Sequence, residues 1–140
     1  MAILLRVLLV SALLVASNAA DVIIMHPSGR PITVPDSEIR AMFLGRRTVW
    51  PDGRSVMVVA ANAGPGQDGL MTFLGKSSQQ FLNGWKKLMF TGNGSMPKLL
   101  ANDQEVAAYV AQTPGAIGYI SCTPPTGVVV LLNLDNTNPE

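Results

Sequence analysis

Apolar residues along the chain fall into two patterns: short continuous runs, and positions that repeat at helical spacing. Residues 55–61 are apolar almost throughout, which is typical of a strand that is covered on both faces of a sheet. Other short apolar runs, closed by glycine, proline or asparagine, predict further strands. The predicted strands are residues 22–25, 55–61, 98–101, 116–121 and 127–132.

Polar residues precede several of the helically spaced segments and predict where helices begin. Asp36 or Ser37 is expected to cap the first helix and Asn102 the last, because their side-chain oxygens accept hydrogen bonds from free amides of the first turn. The predicted helices are residues 36–44, a segment that ends at 73, residues 77 or 78 to 90, and residues 103–111. The predicted buried faces carry Ile39, Met42 and Phe43 in the first helix, and Phe81, Trp85, Leu88 and Met89 in the third.

Strands that alternate with helices predict an α/β fold, a layered sheet flanked by helices. The chain has 140 residues, and without its first 20 it is long enough for one domain with its own core. We expect this domain at residues 21–133, followed by a polar tail at 134–140.

The first 20 residues have the composition of a secretory signal. A start that carries Arg6 leads into an apolar segment at 7–15 and then into small residues before Asp21. The apolar segment is roughly half as long as the roughly twenty residues of a membrane-spanning helix. We therefore expect cleavage after Ala19, or alternatively after Ala20, and a soluble periplasmic protein. An uncleaved N-terminal anchor is the alternative.

Charge and cysteine content narrow the classes of partner. Arg6 is the only charged residue in the signal, so the acidic and basic residues that remain are balanced. Binding to nucleic acid or an anionic membrane through bulk charge requires a basic excess, so neither partner is expected, and no later apolar run reaches spanning length. No cysteine comes directly after the apolar core of the signal, so a lipid anchor there is not expected.

Single copies of cysteine and histidine restrict the chemistry further. Cys122 stands alone, which excludes an intramolecular disulfide, a cysteine-based zinc cluster and a dithiol pair. We expect it to be a small core residue at the end of a strand, with a reactive or intermolecular thiol as the alternative. His26 is the only histidine, so no site with two histidines is available. Neither a metal, a cofactor nor a catalytic residue is expected.

Four blocks in a fixed order carry a resemblance to a known family. They are Ser-Glu-Ile-Arg-Ala-Met-Phe-Leu-Gly at 37–45, Trp-Pro-Asp-Gly at 50–53, Trp85 through Phe-Thr-Gly at 90–92, and Pro-Gly-Ala-Ile-Gly-Tyr at 114–119. Together they resemble the phosphate-binding components of bacterial ABC transporters, and more closely the short stand-alone proteins of that kind. The resemblance spans residues 22–121 and implies a fold like one lobe of a type 2 periplasmic binding protein.

The resemblance also places a ligand site in the glycine-rich loop at 62–69. Phosphate binders hold an anion there on free amides at a helix start, in a loop that reads Arg-x-x-Gly-Ser-Gly-Thr. Alignment on Phe73 puts Ala63 near the arginine, Gln67 on the serine and Gly69 on the threonine, so the guanidinium and the hydroxyls are missing. Asp68 takes the place of a glycine and would repel a dianion. The candidate ligand residues are Asn62, Gly66, Gln67, Asp68 and Gly69.

Two alternatives remain open for these charged and glycine-rich segments. The loop is otherwise interpreted as a plain turn in which Asp68 caps the helix that follows. Arg46, Arg47 and Arg54 form a candidate anion patch, since guanidinium groups suit oxyanions; the alternative is a solvated face.

Two functions follow as hypotheses. The first is an exported, non-enzymatic binding-protein-like domain related to phosphate receptors, with phosphate or another small anion as ligand. A lone lobe would leave one side of the ligand in water, so a second copy or another envelope protein would complete the cleft. The second hypothesis is a cell-envelope interaction module that keeps the fold and has lost the anion.

Overall fold

The computed structural model describes residues 21–28, 33–92 and 96–134. The strands are β1 Val22–Met25, β2 Met57–Ala61, β3 Lys98–Leu100, β4 Ala116–Ile120 and β5 Val129–Asn133. The helices are α1 Asp36–Phe43, α2 Pro65–Leu74, α3 Ser78–Phe90 and α4 Asp103–Gln112.

The described strands form one five-stranded sheet in the order β3-β2-β4-β1-β5. β2 runs parallel to β3 and to β4, because helices carry the chain back between these strands. β1 is antiparallel to both of its neighbours, with Val22 opposite Ile120 and Met25 opposite Val129. The carboxyl ends of β2, β3 and β4 therefore meet at the same edge of the sheet.

Successive strand residues point to opposite faces, and each face has its own core. Ile23, Val58 and Ile117 pack with residues of α1, α2 and α3 on one face. Ile24 and Val59 pack with α4 on the other face. The structure thus confirms the predicted fold class, an α/β arrangement in which helices flank a sheet.

α4 lies close against the sheet at Gly118. A Cβ on Gly118 would be 2.9 Å from Val106 Cγ1 and 3.0 Å from Val110 Cγ2, distances too short for an ordinary contact. The glycine therefore allows a helix, and not only a neighbouring strand, to approach β4.

α1 and α3 pack together through Trp85, whose indole Nε1 donates to the Phe43 carbonyl oxygen at 3.0 Å. The prediction that Asp36 or Ser37 caps α1 is wrong, because the N-cap is Pro35 and no side chain caps the helix. The prediction that Met89 is buried is also wrong. The buried stripe of α3 is narrower than expected, and Met89 lies beside it in the last turn with 48% of its surface exposed.

Two of the blocks that carry the family resemblance meet near the amino end of β2. The Trp50 indole Nε1 donates to the Gly115 carbonyl oxygen at 2.9 Å. Gly115 has φ +84, and a Cβ there would lie 2.4 Å from the Ser55 carbonyl oxygen, so both the backbone angle and the contact require glycine. These blocks hold loops to the sheet.

The predicted secretory signal and residues 135–140 of the predicted tail lie outside the described residues. The domain boundaries therefore stay predictions. Among the residues that the structure describes, none of the helices has the length and apolarity to cross a bilayer.

Candidate functional site

The glycine-rich loop connects the carboxyl end of β2 to the first turn of α2. Gly64 has φ +91 and is the N-cap of α2, and Pro65 takes the first helical position. Glycine accepts the positive φ, and proline is favoured at the first position because its missing N–H would be unpaired there anyway. Ligand sites of parallel α/β sheets lie at this edge, beyond the carboxyl ends of the strands.

The first turn of α2 has no side-chain cap. α3 differs, since Ser77 accepts from the Gln80 amide and Gln80 accepts from the Ser77 amide. α4 differs too, since Asn102 accepts from an amide of its first turn. Pro65 has no N–H, and the Asp68 amide donates to the Gly64 carbonyl oxygen at 3.0 Å. Within the described part of the chain this leaves the amides of Gly66 and Gln67 free, and together with the helix dipole they can bind the oxygens of an anion. The interpretation of Asp68 as a cap is wrong, because Asp68 lies within the first turn.

Asp103, at the start of α4, lies directly beneath this turn. The residue is 7% exposed, and its Oδ2 accepts from the Ser121 backbone amide at 3.0 Å. Within the described part of the chain, Oδ1 has no hydrogen-bond partner. A Cβ on Gly66 would lie 2.0 Å from that oxygen, so only glycine fits at this point of α2.

A second carboxylate, Asp21, lies under the next turn of α2. It accepts from the Tyr119 hydroxyl at 2.7 Å and from the Ser121 hydroxyl at 2.5 Å. A Cβ on Gly69 would lie 2.7 Å from the Tyr119 hydroxyl oxygen and 2.8 Å from Asp21 Oδ2. Gly69 thus serves close packing of α2 onto this network, and its Cα faces the protein interior.

Three carboxylates, of Asp21, Asp68 and Asp103, make the surroundings of the loop negative. Asp68 is exposed, so water screens its charge, whereas Asp103 is buried. Burial raises the pKa of the nearby Cys122 thiol, and the Asp103 carboxylate raises it further. Cys122 packs partly against the core that α4 covers, and at neutral pH its raised pKa favours the thiol over the thiolate.

Asn62 and Gln67 line a small cavity above the end of β2. The Gln67 side chain donates from Nε2 to the Ser78 hydroxyl at 2.5 Å. The backbone amide of Asn62 donates to the Leu100 carbonyl oxygen at 2.8 Å. The rest of the wall is mostly apolar, formed by Ala60, Ala61, Met71, Phe81, Leu82 and Leu99. The cavity holds about 50 Å³, enough for a small inorganic ion or a water molecule.

The three arginines of the candidate patch have three different surroundings. Arg54 donates from Nε to Asp52 at 3.0 Å and binds the carbonyl and hydroxyl of Ser28. The Arg54 amide and guanidinium together hold the pKa of the Asp52 carboxyl below its ordinary 3.8. Arg47 Nη1 lies 3.7 Å from Glu38 Oε1. Arg47 also lines a separate cavity near the start of β2. Arg46 lies along a surface groove with Lys76 and Lys87.

Sequence reasoning missed Asp21, Asp103, Tyr119 and Ser121 as neighbours of the loop. A usable signal was present, since Ser121 follows β4 and residues that follow parallel strands meet at one sheet edge. Within the described residues, no three His, Cys, Asp or Glu side chains are placed to hold a metal ion.

Comparison with known proteins adds a fold likeness. Neither a protein-family model nor a curated protein matches the chain. Among solved structures, an ABC-type phosphate transport receptor from Vibrio cholerae has a TM-score of 0.61 and 14% identity, covering 80% of this chain and 45% of the receptor. A putative phosphate ABC transporter substrate-binding protein with bound phosphate from Clostridium perfringens has a TM-score of 0.61 and 18% identity. The match covers 80% of this chain and 44% of that protein.

A third similar structure is PstS from Borrelia burgdorferi, with a TM-score of 0.50, 17% identity, and 72% of this chain and 40% of that chain covered. The chain thus spans less than half the length of each of these proteins. The likeness shows that its fold is that of a single lobe of the phosphate-binding protein structures.

Proposed function

We propose that the chain is an exported, non-enzymatic binding-protein-like domain that binds a small anion at the start of α2. The observation that carries the proposal is the uncapped first turn of α2, at the sheet edge where α/β proteins bind ligands. Two free amides and the helix dipole supply the attraction without any catalytic group. The fold likeness to phosphate receptors supports this role.

The carboxylates around the loop restrict which anion binds. Asp68 and Asp103 repel a dianion more strongly than a monoanion, because Coulomb energy scales with the product of the charges. The side chains of Asn62 and Gln67, which line the cavity above the end of β2, are uncharged and add no repulsion. A singly charged oxyanion, including phosphate in its monoanionic form, suits this site better than sulfate.

A second protein surface completes the site. The chain matches a single lobe of the receptors it resembles, and a single lobe covers only one side of a ligand at the start of α2. We propose that a second copy of the chain or an envelope protein covers that side. The predicted signal, cleaved after Ala19 or Ala20, would bring the domain to the periplasm, where a transporter is a candidate partner.

Calorimetry with phosphate, sulfate and nitrate tests the proposal. Replacing Asp68 by serine removes a negative charge from the first turn, and we expect anion affinity to rise several-fold. Asp36→Ser is the matched control, because Asp36 is an exposed carboxylate in the first turn of α1, away from the loop. Heat from no anion, in the wild type and in Asp68→Ser alike, would reject an anion-binding function.

An interaction module is the second candidate, and a surface beside α3 favours it. Phe90 is 90% exposed at the end of α3. The neighbouring groove is lined by Arg46, Lys76 and Lys87 together with Leu44, Gln80, Phe81, Gly84, Leu88 and Thr91. None of these described lining residues is acidic. Charge complementarity favours an acidic segment of an envelope protein as occupant.

A pull-down with envelope extract at low and high salt distinguishes this second candidate. Recovery of one acidic partner that Phe90→Ser and Lys87→Glu both abolish would support it. A partner retained by both variants would reject this surface as the docking site.

A further inference from the structure

The charged residues of the chain are balanced in number but separated along the sequence. Residues 69–98 contain four lysines and neither aspartate nor glutamate. Residues 99–134 contain Asp103 and Glu105 and neither lysine nor arginine. The fold places these two groups of charges on different surfaces.

The acidic surface is the carboxyl edge of the sheet, around the start of α2. Asp68 in the first turn of α2 and Glu105 in the first turn of α4 are exposed. Asp103 and Asp21 lie beneath successive turns of α2. None of these four carboxylates belongs to an ion pair within the described part of the chain. The segment 62–69 contains no lysine or arginine, so this edge attracts cations.

The basic surface is the groove beside α3, in which the side chains of Arg46, Lys76 and Lys87 are exposed. Among the described residues, no carboxylate forms an ion pair with any of the three. Each of them lies in or just after the last turn of a helix and so balances part of the negative charge of a helix C-terminus. That charge is roughly half an elementary charge per helix, so three full cations leave the groove positive.

The two surfaces lie at opposite ends of α2. Asp68 is in the first turn of this helix, and Lys76 comes just after its last residue, Leu74. A helix of ten residues is about 15 Å long, so Asp68 and Lys76 of one copy are too far apart to pair with each other. Lys76 of one copy can instead pair with Asp68 of another. The C-terminus of one α2 then faces the N-terminus of the next, which brings opposite partial charges together.

We propose that copies of the chain associate head to tail, with the basic groove of one copy covering the start of α2 of the next. Charge complementarity selects this occupant, because the chain itself carries the acidic surface that the groove fits. Each contact uses two different surfaces, so every copy in a pair keeps one free surface. The assembly therefore grows into a ring or an open chain.

The contact also completes the anion site, and this part of the proposal rests on the proposed function. The loop at 62–69 carries no cation of its own, and the carboxylates of Asp68 and Asp103 repel an anion. The groove of a second copy brings Arg46, Lys76 and Lys87 to this point, where they neutralise the carboxylates and supply charged donors to the ligand. The anion is then bound between two copies, with the amides of α2 on one side and the cations on the other.

Sedimentation velocity of protein expressed from the full chain, at low ionic strength and rising protein concentration, tests the contact. We expect the wild type to form dimers and larger species that added salt dissociates. Asp68→Lys and Lys76→Glu should each weaken the association about tenfold or more. Asp36→Lys and Lys98→Glu are the matched controls, because they make the same charge changes at exposed positions outside the two surfaces. Both controls should associate like the wild type.

Mixing the two variants keeps the test decisive even if neither associates alone. Asp68→Lys retains an intact groove, and Lys76→Glu retains an intact start of α2, so an equimolar mixture should assemble again. A misfolded variant would not be rescued in this way. A wild type that stays monomeric, a mixture that stays monomeric, or self-association that both changes leave intact would each overturn the proposal. Loss of an envelope partner, rather than of self-association, in Lys76→Glu would also overturn it.

Phosphate in the same experiment, with chloride adjusted to hold the ionic strength constant, separates this contact from the proposed function. Phosphate should strengthen the wild-type association several-fold, because an anion bound between two copies favours the assembled state. Association of a wild type that gives no heat with any anion would support the contact and reject the anion site. Heat from phosphate on a wild type that stays monomeric would overturn the contact and support the anion site.

Discussion

The first turns of α2 and α4 touch each other, but only α4 has a side chain that accepts from its first-turn amides. In α4, Asn102 Oδ1 accepts from the Glu105 amide at 2.9 Å, and Glu105 accepts from the Ala101 amide at 3.1 Å. In α2 the corresponding residue is Gly64, which has no side chain, and the next residue is a proline. One helix terminus is complete within its own segment, and the other is open.

The difference teaches that these two helices are positioned by different means. α4 is defined locally by its cap, as the sequence around Asn102 predicts. α2 is positioned by tertiary contacts, since Gly66 lies against Asp103 and Gly69 against Tyr119. The absence of a local cap leaves amides open for a ligand, while the tertiary contacts keep the turn rigid.

The largest expected effect tests these tertiary contacts. Gly66→Ala would place a methyl group 2.0 Å from Asp103 Oδ1, and we expect a loss of about 2 kcal/mol in the free energy of unfolding. Urea denaturation measures it. Gly84→Ala in α3 is the matched control, because a Cβ there meets nothing within 4 Å. This variant should gain about 0.5–1 kcal/mol from the helix propensity of alanine.

A double-mutant cycle shows whether Asp103 is the cause of the loss. In an Asp103→Ala background the contact is gone, so Gly66→Ala should cost close to nothing. An equal penalty in both backgrounds would mean that the two helices are not coupled at this point.

The next effect concerns the caps themselves. Asn102→Ala and Ser77→Ala each remove a side-chain acceptor from a helix terminus, and each should cost about 1 kcal/mol in the free energy of unfolding. Ser37→Ala serves as the control, because α1 has no side-chain cap, and its effect should be near zero. If Ser37→Ala proved as costly as Ser77→Ala, the N-terminus of α1 would be described wrongly.

Much of the fold could be predicted from the sequence because its signals are local. The strand run before Asn62, the capping residues Ser77 and Asn102, and Gly45 after α1 each act within a few residues. The antiparallel pairing of β1 between β4 and β5 could not be predicted in this way, because pairing between distant strands depends on the whole core.

The candidate site was predictable only in part, because it too depends on contacts between distant segments of the chain. The glycine-rich loop is visible in the sequence, and the structure places it at the carboxyl end of β2 before a helix. The role of Gly66 depends on Asp103, which is 37 positions later in the chain. Arg47 looks like any loop arginine in the sequence, and only the folded chain shows that its Nε is buried.

The smallest expected effect is a change in the pKa of Cys122. This pKa reports on the charge of Asp103, which lies beside the uncapped first turn of α2. Burial first, and Asp103 second, raise the pKa of this thiol above its ordinary 9.0. The folded protein therefore holds the proton more tightly than the unfolded chain. This contribution to stability is complete below pH 9.0 and is lost as the pH rises through the higher pKa of the folded state.

Alkylation of Cys122 by iodoacetamide across alkaline pH measures this pKa, because only the thiolate reacts. The half-point should lie above 9.0 in the wild type. In Asp103→Asn it should move down without reaching 9.0, since burial remains. Glu105→Gln is the control, because it removes a charge from the same turn of α4, and the pKa of Cys122 has no contribution from Glu105. If the alkylation half-points of Asp103→Asn and the wild type were equal, the charge of Asp103 would be screened at this end of the sheet. The same screening would remove the repulsion between Asp103 and a dianion at the start of α2.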